Sequence, residues 1–176
     1  MVTRRRVLVS AGVVTAAAAA GAGAWIWSGS MRFNTIDEAR RAVGTLANQP
    51  PRATGAWSLA QVLNHAAQSV EYSLDGFPQP KPAWFRATVG PLAFKVFDAR
   101  GAMKHPLDAP IPGAPALDAQ ASLDGAVQRL LAAFDRFERH GGALQPHFAY
   151  GALDKPTYAR AHLMHLAEHW TEFQPG

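Results

Sequence analysis

The stretch Trp57–Gly76, with the sequence WSLAQVLNHAAQSVEYSLDG, decides the fold of this 176-residue chain. Its apolar residues recur every three or four positions, which is the spacing of the buried side of an α-helix. Ser58 favours the start of a helix, and Gly76 favours its end. The stretch therefore predicts one amphipathic helix, whose buried face consists of Leu59, Val62, Leu63, Ala66, Val70 and Leu74.

Helical patterns continue on both sides of this stretch. Thr35 and Glu38 fit a capping box, which predicts a helix over about 36–47 that ends before Pro50. Three further helices are expected, over 83–99 with an interruption at Pro91, from Ser122 to His140, and from Lys155 to about Phe173.

The remaining chain offers no sign of a sheet, because no segment alternates apolar and polar residues as a strand does. Residues 100–121 contain four prolines, and we expect them to form an irregular segment that packs on the helices. The fold is therefore expected to be all-α, a four-helix bundle with an extra broken helix and a loop insertion. The chain is 48% hydrophobic, which is enough to bury a core.

Residues 1–30 differ from the folded domain, which we assign to residues 31–176. Arg4, Arg5 and Arg6 precede an uncharged apolar stretch over 7–27, and their context resembles a twin-arginine export signal. A Sec signal or a plain membrane anchor is the alternative. The apolar stretch is close to the ~20 residues that span a bilayer, so a cleaved product and an anchored one both stay open.

This signal segment predicts the location of the protein and some of its partners. We expect the twin-arginine translocase to export the domain to the periplasm or cell envelope, with membrane contact only through residues 7–27. Nucleic acid is not an expected partner, because removing Arg4, Arg5 and Arg6 leaves 14 basic residues against 13 acidic ones. The absence of cysteine excludes disulfides, thiolate metal sites and a cysteine nucleophile. Whether the protein is a homodimer stays open.

Three of the seven histidines lie within eight residues of the last predicted helix. His162, His165 and His169 are separated by three and four positions, so they share one face of that helix. His165 and His169 have the spacing that zinc-binding helices use, and imidazole is a common metal ligand. A third ligand must come from another helix, where His65 is the candidate, and His162 is the alternate ligand. Histidines that only hydrogen-bond to neighbouring groups are the other interpretation.

Three stretches of the chain resemble the DinB-like (damage-inducible protein B) superfamily, in its uncharacterised exported branch. They are Trp57–His65 (WSLAQVLNH), Pro146–Leu153 (PHFAYGAL) and His165–Phe173 (HLAEHWTEF). The resemblance implies a four-helix bundle that holds a divalent metal ion, most often zinc or nickel. It also implies His65, His165 and His169 as the ligands. The chain departs from the family where Trp170-Thr171-Glu172 replaces an Arg-Gly-Gln-like tail.

Two functions fit these observations. A three-histidine site leaves coordination positions free, which suits a metal-dependent enzyme with hydrolase- or transferase-like activity on a small substrate. The alternative is a non-catalytic small-ligand-binding or interaction module that keeps the bundle. The oxidising cell envelope argues against a thiol cofactor.

Several other side chains are assigned provisional roles. Glu172 and Tyr72 are the candidate catalytic groups, and Glu172 could instead orient a histidine. Glu168 is expected to be a solvated charge. His147 is expected to cap the turn that follows it, whereas His105 and His140 are expected to lie on the surface.

Overall fold

The computed structural model of the protein describes residues 32–175. The predicted signal segment, its cleavage site and its membrane anchor all fall within residues 1–31, outside the described residues. Among residues 32–175, no helix combines the length and the apolar character needed to cross a membrane.

The described chain is mostly helical, so the expectation of an all-α fold is confirmed. Two strands of two residues each, β1 and β2, pair antiparallel and are the exception. The elements in chain order are α1 (Ile36–Thr45), β1 (Arg52–Ala53), α2 (Leu59–Asp75), α3 (Ala83–Ala87), α4 (Val89–Arg100), α5 (Leu123–Arg139), α6 (Lys155–Trp170) and β2 (Phe173–Gln174).

Helix α2 forms as the sequence predicts. The side chain of Ser58 accepts a hydrogen bond from the backbone of Gln61, and the side chain of Gln61 accepts one from the backbone of Ser58. These reciprocal bonds satisfy two N–H groups that a helix start leaves unpaired. Gly76 ends the helix with φ 101°, a conformation that favours glycine. All six residues of the predicted apolar face are buried.

Helix α1 starts as predicted but ends at Thr45, before the expected Ala47. Thr35 accepts from the backbone N–H of Glu38, as the capping box requires. The carboxylate of Glu38, however, accepts from the backbone N–H of Asn34. The second half of the predicted box is therefore wrong, because the exposed glutamate bonds one residue further back.

The broken helix divides at Thr88, so the predicted interruption at Pro91 is wrong. The Thr88 hydroxyl donates to the carbonyl of Trp84, and its backbone leaves the helical conformation with φ −128° and ψ −79°. Pro91 lies in the first turn of α4, where its missing N–H has no intrahelical partner to lose. The expected end of the last helix also shifts, because α6 ends at Trp170 and Phe173 lies in β2.

Helices α1, α2, α5 and α6 pack around one core, and α2 makes its most extensive contacts with α5. Arg129 joins these two helices at their surface through a two-pronged ion pair with Glu71. Helix α4 packs separately on α6, where Phe94 contacts a small cluster with Ala161 and Met164. This packing places one face of α2 and one face of α6 opposite each other, with the segment 101–122 alongside.

Candidate metal centre

Three histidines from two helices converge inside the bundle. His65 lies midway along α2, while His165 and His169 lie one turn apart on α6. Their ring centres are 4.9 Å apart for His65–His165, 5.0 Å for His65–His169 and 4.9 Å for His165–His169. One nitrogen from each ring lies within 4.8 Å of the other two. The three imidazoles therefore form a nearly equilateral group.

These spacings match what a shared metal ion requires. Imidazoles bound to one ion through bonds of about 2.0–2.1 Å at tetrahedral angles have ring centres about 5 Å apart and donor nitrogens about 3.3 Å apart. The Nε2 atoms of His65 and His165 lie 3.1 Å apart, close to that value. The group could hold a metal ion without a change of backbone.

The hydrogen-bonding state of His169 also fits a cation, because an ion would satisfy one of its ring nitrogens, but an ion would not account for Nδ1 of His65, whose Nε2 faces His165. Among the described residues, Nδ1 of His65 and both ring nitrogens of His169 are buried and have no hydrogen-bond partner. Buried polar atoms are normally paired, because an unpaired one loses the hydrogen bond that water would supply. Donation between His65 and His165 would satisfy only that pair and would leave His169 unpaired.

Burial keeps these imidazoles neutral, which is the form that binds metals. Loss of hydration, with a smaller contribution from the neighbouring His105, lowers the pKa of His65 to about 4. The pKa of His169 falls to about 2 for the same main reason, with added repulsion from His65 and His105. The pKa of His165 also lies well below its usual value, first because of burial.

Glu172 and Trp57 are neighbours of the His169 ring. The carboxylate of Glu172 lies 3.9 Å from Nδ1 of His169, which is beyond a direct hydrogen bond but on the correct side of the ring. Burial, with repulsion from Asp108, raises the pKa of Glu172. Trp57 stacks on the His169 ring at 6.0 Å and 15° and also contacts His65. An orienting role for Glu172 is therefore compatible with its position.

A cavity of about 360 Å³ adjoins the histidines. Its polar lining groups include His65, His105 and His165, and its wall otherwise consists largely of apolar side chains. The apolar lining residues are Met103, Pro106, Ala109, Pro110, Ile111, Pro112, Phe148, Ala149 and Ala161. A small, mainly apolar molecule would fit this space beside the imidazoles.

Tyr150 lines the same cavity, and sequence reasoning did not select it as a functional residue. Burial raises the pKa of its phenol to about 12, so the group stays protonated. Its hydroxyl is 3.8 Å from the sulfur of Met103, a weak acceptor. Tyr72, the predicted candidate, is not among the cavity-lining residues and packs against Phe77. The catalytic role suggested for Tyr72 stays a prediction.

His147 performs the capping role that the sequence predicts. Its Nδ1 accepts hydrogen bonds from the backbone N–H groups of Ala149 and Tyr150, both at 3.1 Å. Its ring stacks on Tyr150, with 4.3 Å between ring centres and 7° between planes. Burial, with repulsion from His162, lowers the pKa of His147 to about 3.

His162, the alternate ligand, lies outside the three-histidine group. Its ring stacks on Tyr158 and meets the edge of Phe137, at centre distances of 5.3 Å and 5.2 Å. It still lines the cavity, and its Nε2 is buried without a hydrogen-bond partner among residues 32–175. Its position one turn earlier on α6 places it beside the group, so the structure favours His65, His165 and His169 over His162.

His105 is half-buried, so the expectation that it lies on the surface holds only in part. Its ring centre is 5.0 Å from that of His165 and 5.1 Å from that of His169. No local signal marks this residue, because it belongs to an irregular segment whose course depends on packing. His140 differs, because its Nε2 lies 3.2 Å from the carbonyl of the nearby Ala143 in the exposed turn after α5.

Comparison with known proteins adds a family but no activity. A family described as "Protein of unknown function (DUF1569)" matches residues 25–176. No curated protein and no solved structure matches the chain.

Proposed function

We propose that this chain, which belongs to the DUF1569 family of proteins of unknown function, binds one divalent metal ion, zinc or nickel, through His65, His165 and His169. The observation that carries the proposal is the convergence of three buried imidazoles with nearly equal spacings. Their neutral state supports it further, as does a ring nitrogen of His169 that has no hydrogen-bond partner within residues 32–175.

We propose that the site serves an enzyme that acts on a small, mainly apolar substrate. When bound, the ion would supply a Lewis acid, which suits hydrolase- or transferase-like chemistry. The chain would contribute the remaining functions. The apolar wall of the cavity would exclude water and hold the substrate, while the Tyr150 hydroxyl would donate a hydrogen bond to it.

Glu172 would act behind the ligand shell. Metal-bound histidines usually donate their second ring N–H to a carboxylate or a carbonyl, which fixes the orientation of the ring. Glu172 lies on the Nδ1 side of His169, so a shortening of their 3.9 Å separation would leave Nε2 for the ion. In this proposal Glu172 is a positioning residue.

A non-catalytic ligand-binding module is the second candidate. It is favoured by the cavity itself, whose mostly apolar lining could hold a small molecule without any reaction. In this alternative helices α1, α2, α5 and α6 keep their packing, and His65 and His165 only line the cavity.

We also propose membership of the DinB-like superfamily and export by the twin-arginine translocase. The helical fold and the histidine group support the first, and Arg4 with Arg5 supports the second. Replacing both arginines by lysine preserves the charge and should trap the protein inside the cell, as fractionation would detect. Continued export of the double variant would point to the Sec route.

Metal content tests the proposed site. The purified chain should hold about one divalent ion per molecule by elemental analysis, and His65→Ala or His169→Ala should lose most of it. Two remaining imidazoles bind an ion much more weakly than three. His140→Ala is the matched control, because it removes an imidazole from the exposed turn after α5.

The outcomes separate the two candidate functions. Unchanged metal content in either site variant would exclude that residue as a ligand. If the wild-type chain holds no metal, even after reconstitution with zinc or nickel, the ligand-binding module is the better account. Circular dichroism of each variant checks that the helices remain folded.

A further inference from the structure

We propose that His105 is a fourth ligand of the same ion, supplied by the irregular segment between α4 and α5. This inference rests on the proposed metal site, because His105 needs the other three imidazoles beside it. It changes the character of that site, since two helices and a loop would then share one ion.

The segment 101–122 holds His105 between two buried anchors. Met103 precedes it and packs with Phe94 and Met164, while Ile111 follows it and joins the main core. Further along, the side-chain amide of Gln68 on α2 donates to the carbonyl of Pro115 at 3.3 Å. These attachments position the backbone around His105, which is therefore placed by packing on both sides.

The position of the His105 ring suits a ligand. Its centre lies 5.0 Å from His165 and 5.1 Å from His169, close to the spacings within the three-histidine group. Tetrahedral coordination by four imidazoles requires ring centres about 5 Å apart. A fourth ring at this distance from His165 and His169 is adjacent to the ion site, but its nitrogens lie outside the three-histidine group, so ligation would require the ring to move closer to His65.

The hydrogen bonding of His105 leaves the correct nitrogen for the ion. Its Nδ1 lies 2.9 Å from the backbone carbonyl of Pro106. A carbonyl only accepts, so Nδ1 carries the hydrogen and Nε2 holds the lone pair. That Nε2 is buried and has no hydrogen-bond partner among residues 32–175. An N–H donated to a carbonyl from the opposite nitrogen is the usual arrangement of a metal-ligating histidine.

A fourth ligand from the loop would also govern access to the ion. His105, Pro106 and Ile111 line the cavity together with His65 and His165. A molecule in the cavity would therefore meet His105 beside the ion, and binding to the ion would either displace this imidazole or add a fifth ligand. The segment 101–122 would then form part of the metal site, whereas the sequence predicts only that it packs on the helices.

Cobalt substitution tests the proposal. The full chain loaded with Co²⁺ should show the hyperfine-shifted, exchangeable N–H resonances of four imidazoles, and His105→Ala should show three. The variant should also bind Co²⁺ more weakly by at least about tenfold, since even residues outside the ligand shell contribute that much. Added imidazole should occupy the vacated position and restore the wild-type visible spectrum.

The controls distinguish this proposal from the metal site on which it rests. His140→Ala should change neither the resonances nor the affinity, and His105→Gln provides a second variant if the alanine variant folds poorly. A wild-type chain that binds no Co²⁺ would overturn the metal site itself. A wild-type chain that binds Co²⁺ with three shifted N–H resonances, unchanged in His105→Ala, would overturn only the role of His105.

Discussion

Gly55 and Glu172 are in direct contact, and no larger residue fits at position 55 while the carboxylate keeps its place. A β-carbon added to Gly55 would overlap Oε1 and Cδ of Glu172. The same carboxylate lies on the Nδ1 side of His169. The absence of a side chain at position 55 therefore leaves the space that the Glu172 carboxylate occupies beside His169.

Gly55→Ala should displace Glu172 without altering any histidine. The overlap is with the end of a flexible side chain, so the chain should stay folded while the carboxylate moves. We expect metal affinity to fall by roughly 10- to 100-fold, as for other losses of an orienting partner. Competition with a chelator of known affinity measures this change.

Gly44→Ala is the matched control for Gly55→Ala. A β-carbon at Gly44 would meet no atom of the described residues within 4 Å, and Gly44 lies inside α1. Alanine should therefore raise helix stability by up to about 1 kcal/mol and leave metal affinity unchanged. Equal affinities in wild type and Gly55→Ala would contradict the orienting role of Glu172.

Gly90→Ala should destabilise the packing of α4 on the turn at 147–151. Its β-carbon would overlap the backbone carbonyl of Ala149, which cannot rotate away as a side chain can. We expect a loss of about 1–3 kcal/mol in the free energy of unfolding, typical of overpacking. Denaturant unfolding measures this loss, with Gly141→Ala as control, because a β-carbon at position 141 would meet no atom of residues 32–175 within 4 Å.

The burial of His147 should make the metal-free protein sensitive to acid. Its pKa is lowered to about 3 in the folded state, from an ordinary 6.5. Above pH 6.5 the His147 ring is neutral in both the folded and the unfolded protein, so it does not make the free energy of unfolding depend on pH. Between pH 6.5 and pH 3 only the unfolded chain takes up the proton. His147 therefore lowers the free energy of unfolding by up to about 1.4 kcal/mol for each pH unit of acidification in this range.

His147→Asn should make the free energy of unfolding less dependent on pH, because the unfolded variant takes up one proton fewer than the unfolded wild type. The asparagine oxygen can accept from the same turn N–H groups, as Asx turns do, while removing the titrating ring. Denaturant unfolding between pH 7 and 4, with chelator present, measures the slope in both proteins. Parallel pH dependence in wild type and variant would show that His147 takes up its proton in the folded state.

Metal should stabilise the wild-type fold by mass action. A folded state that binds an ion gains about 2.7 kcal/mol when free metal reaches 100 times the dissociation constant. Thermal unfolding with zinc and then with chelator should therefore show a higher midpoint with zinc. His169→Ala should show little difference between the two conditions, and a shift of wild-type size in this variant would argue against His169 as a ligand.

Much of the helical framework is readable from short windows of sequence. Ser58, Gln61 and Gly76 bound α2 because capping depends on groups within a few residues of the helix ends. The shared face of His165 and His169 follows in the same way from the pitch of α6. The break at Thr88 escaped prediction, because a local side-chain bond to Trp84 outweighed the more conspicuous proline.

Helix positions, the apolar faces and the pair of histidines on α6 were thus already contained in local spacing, because neighbours three or four residues apart set them. Local spacing did not contain the contact between His65 and His165, nor the position of His105 beside them. Residues 65 and 165 are 100 positions apart and meet because α2 and α6 bury their apolar faces in one core. His105 joins them because Met103 and Ile111 anchor an irregular segment, and no periodic pattern specifies that path.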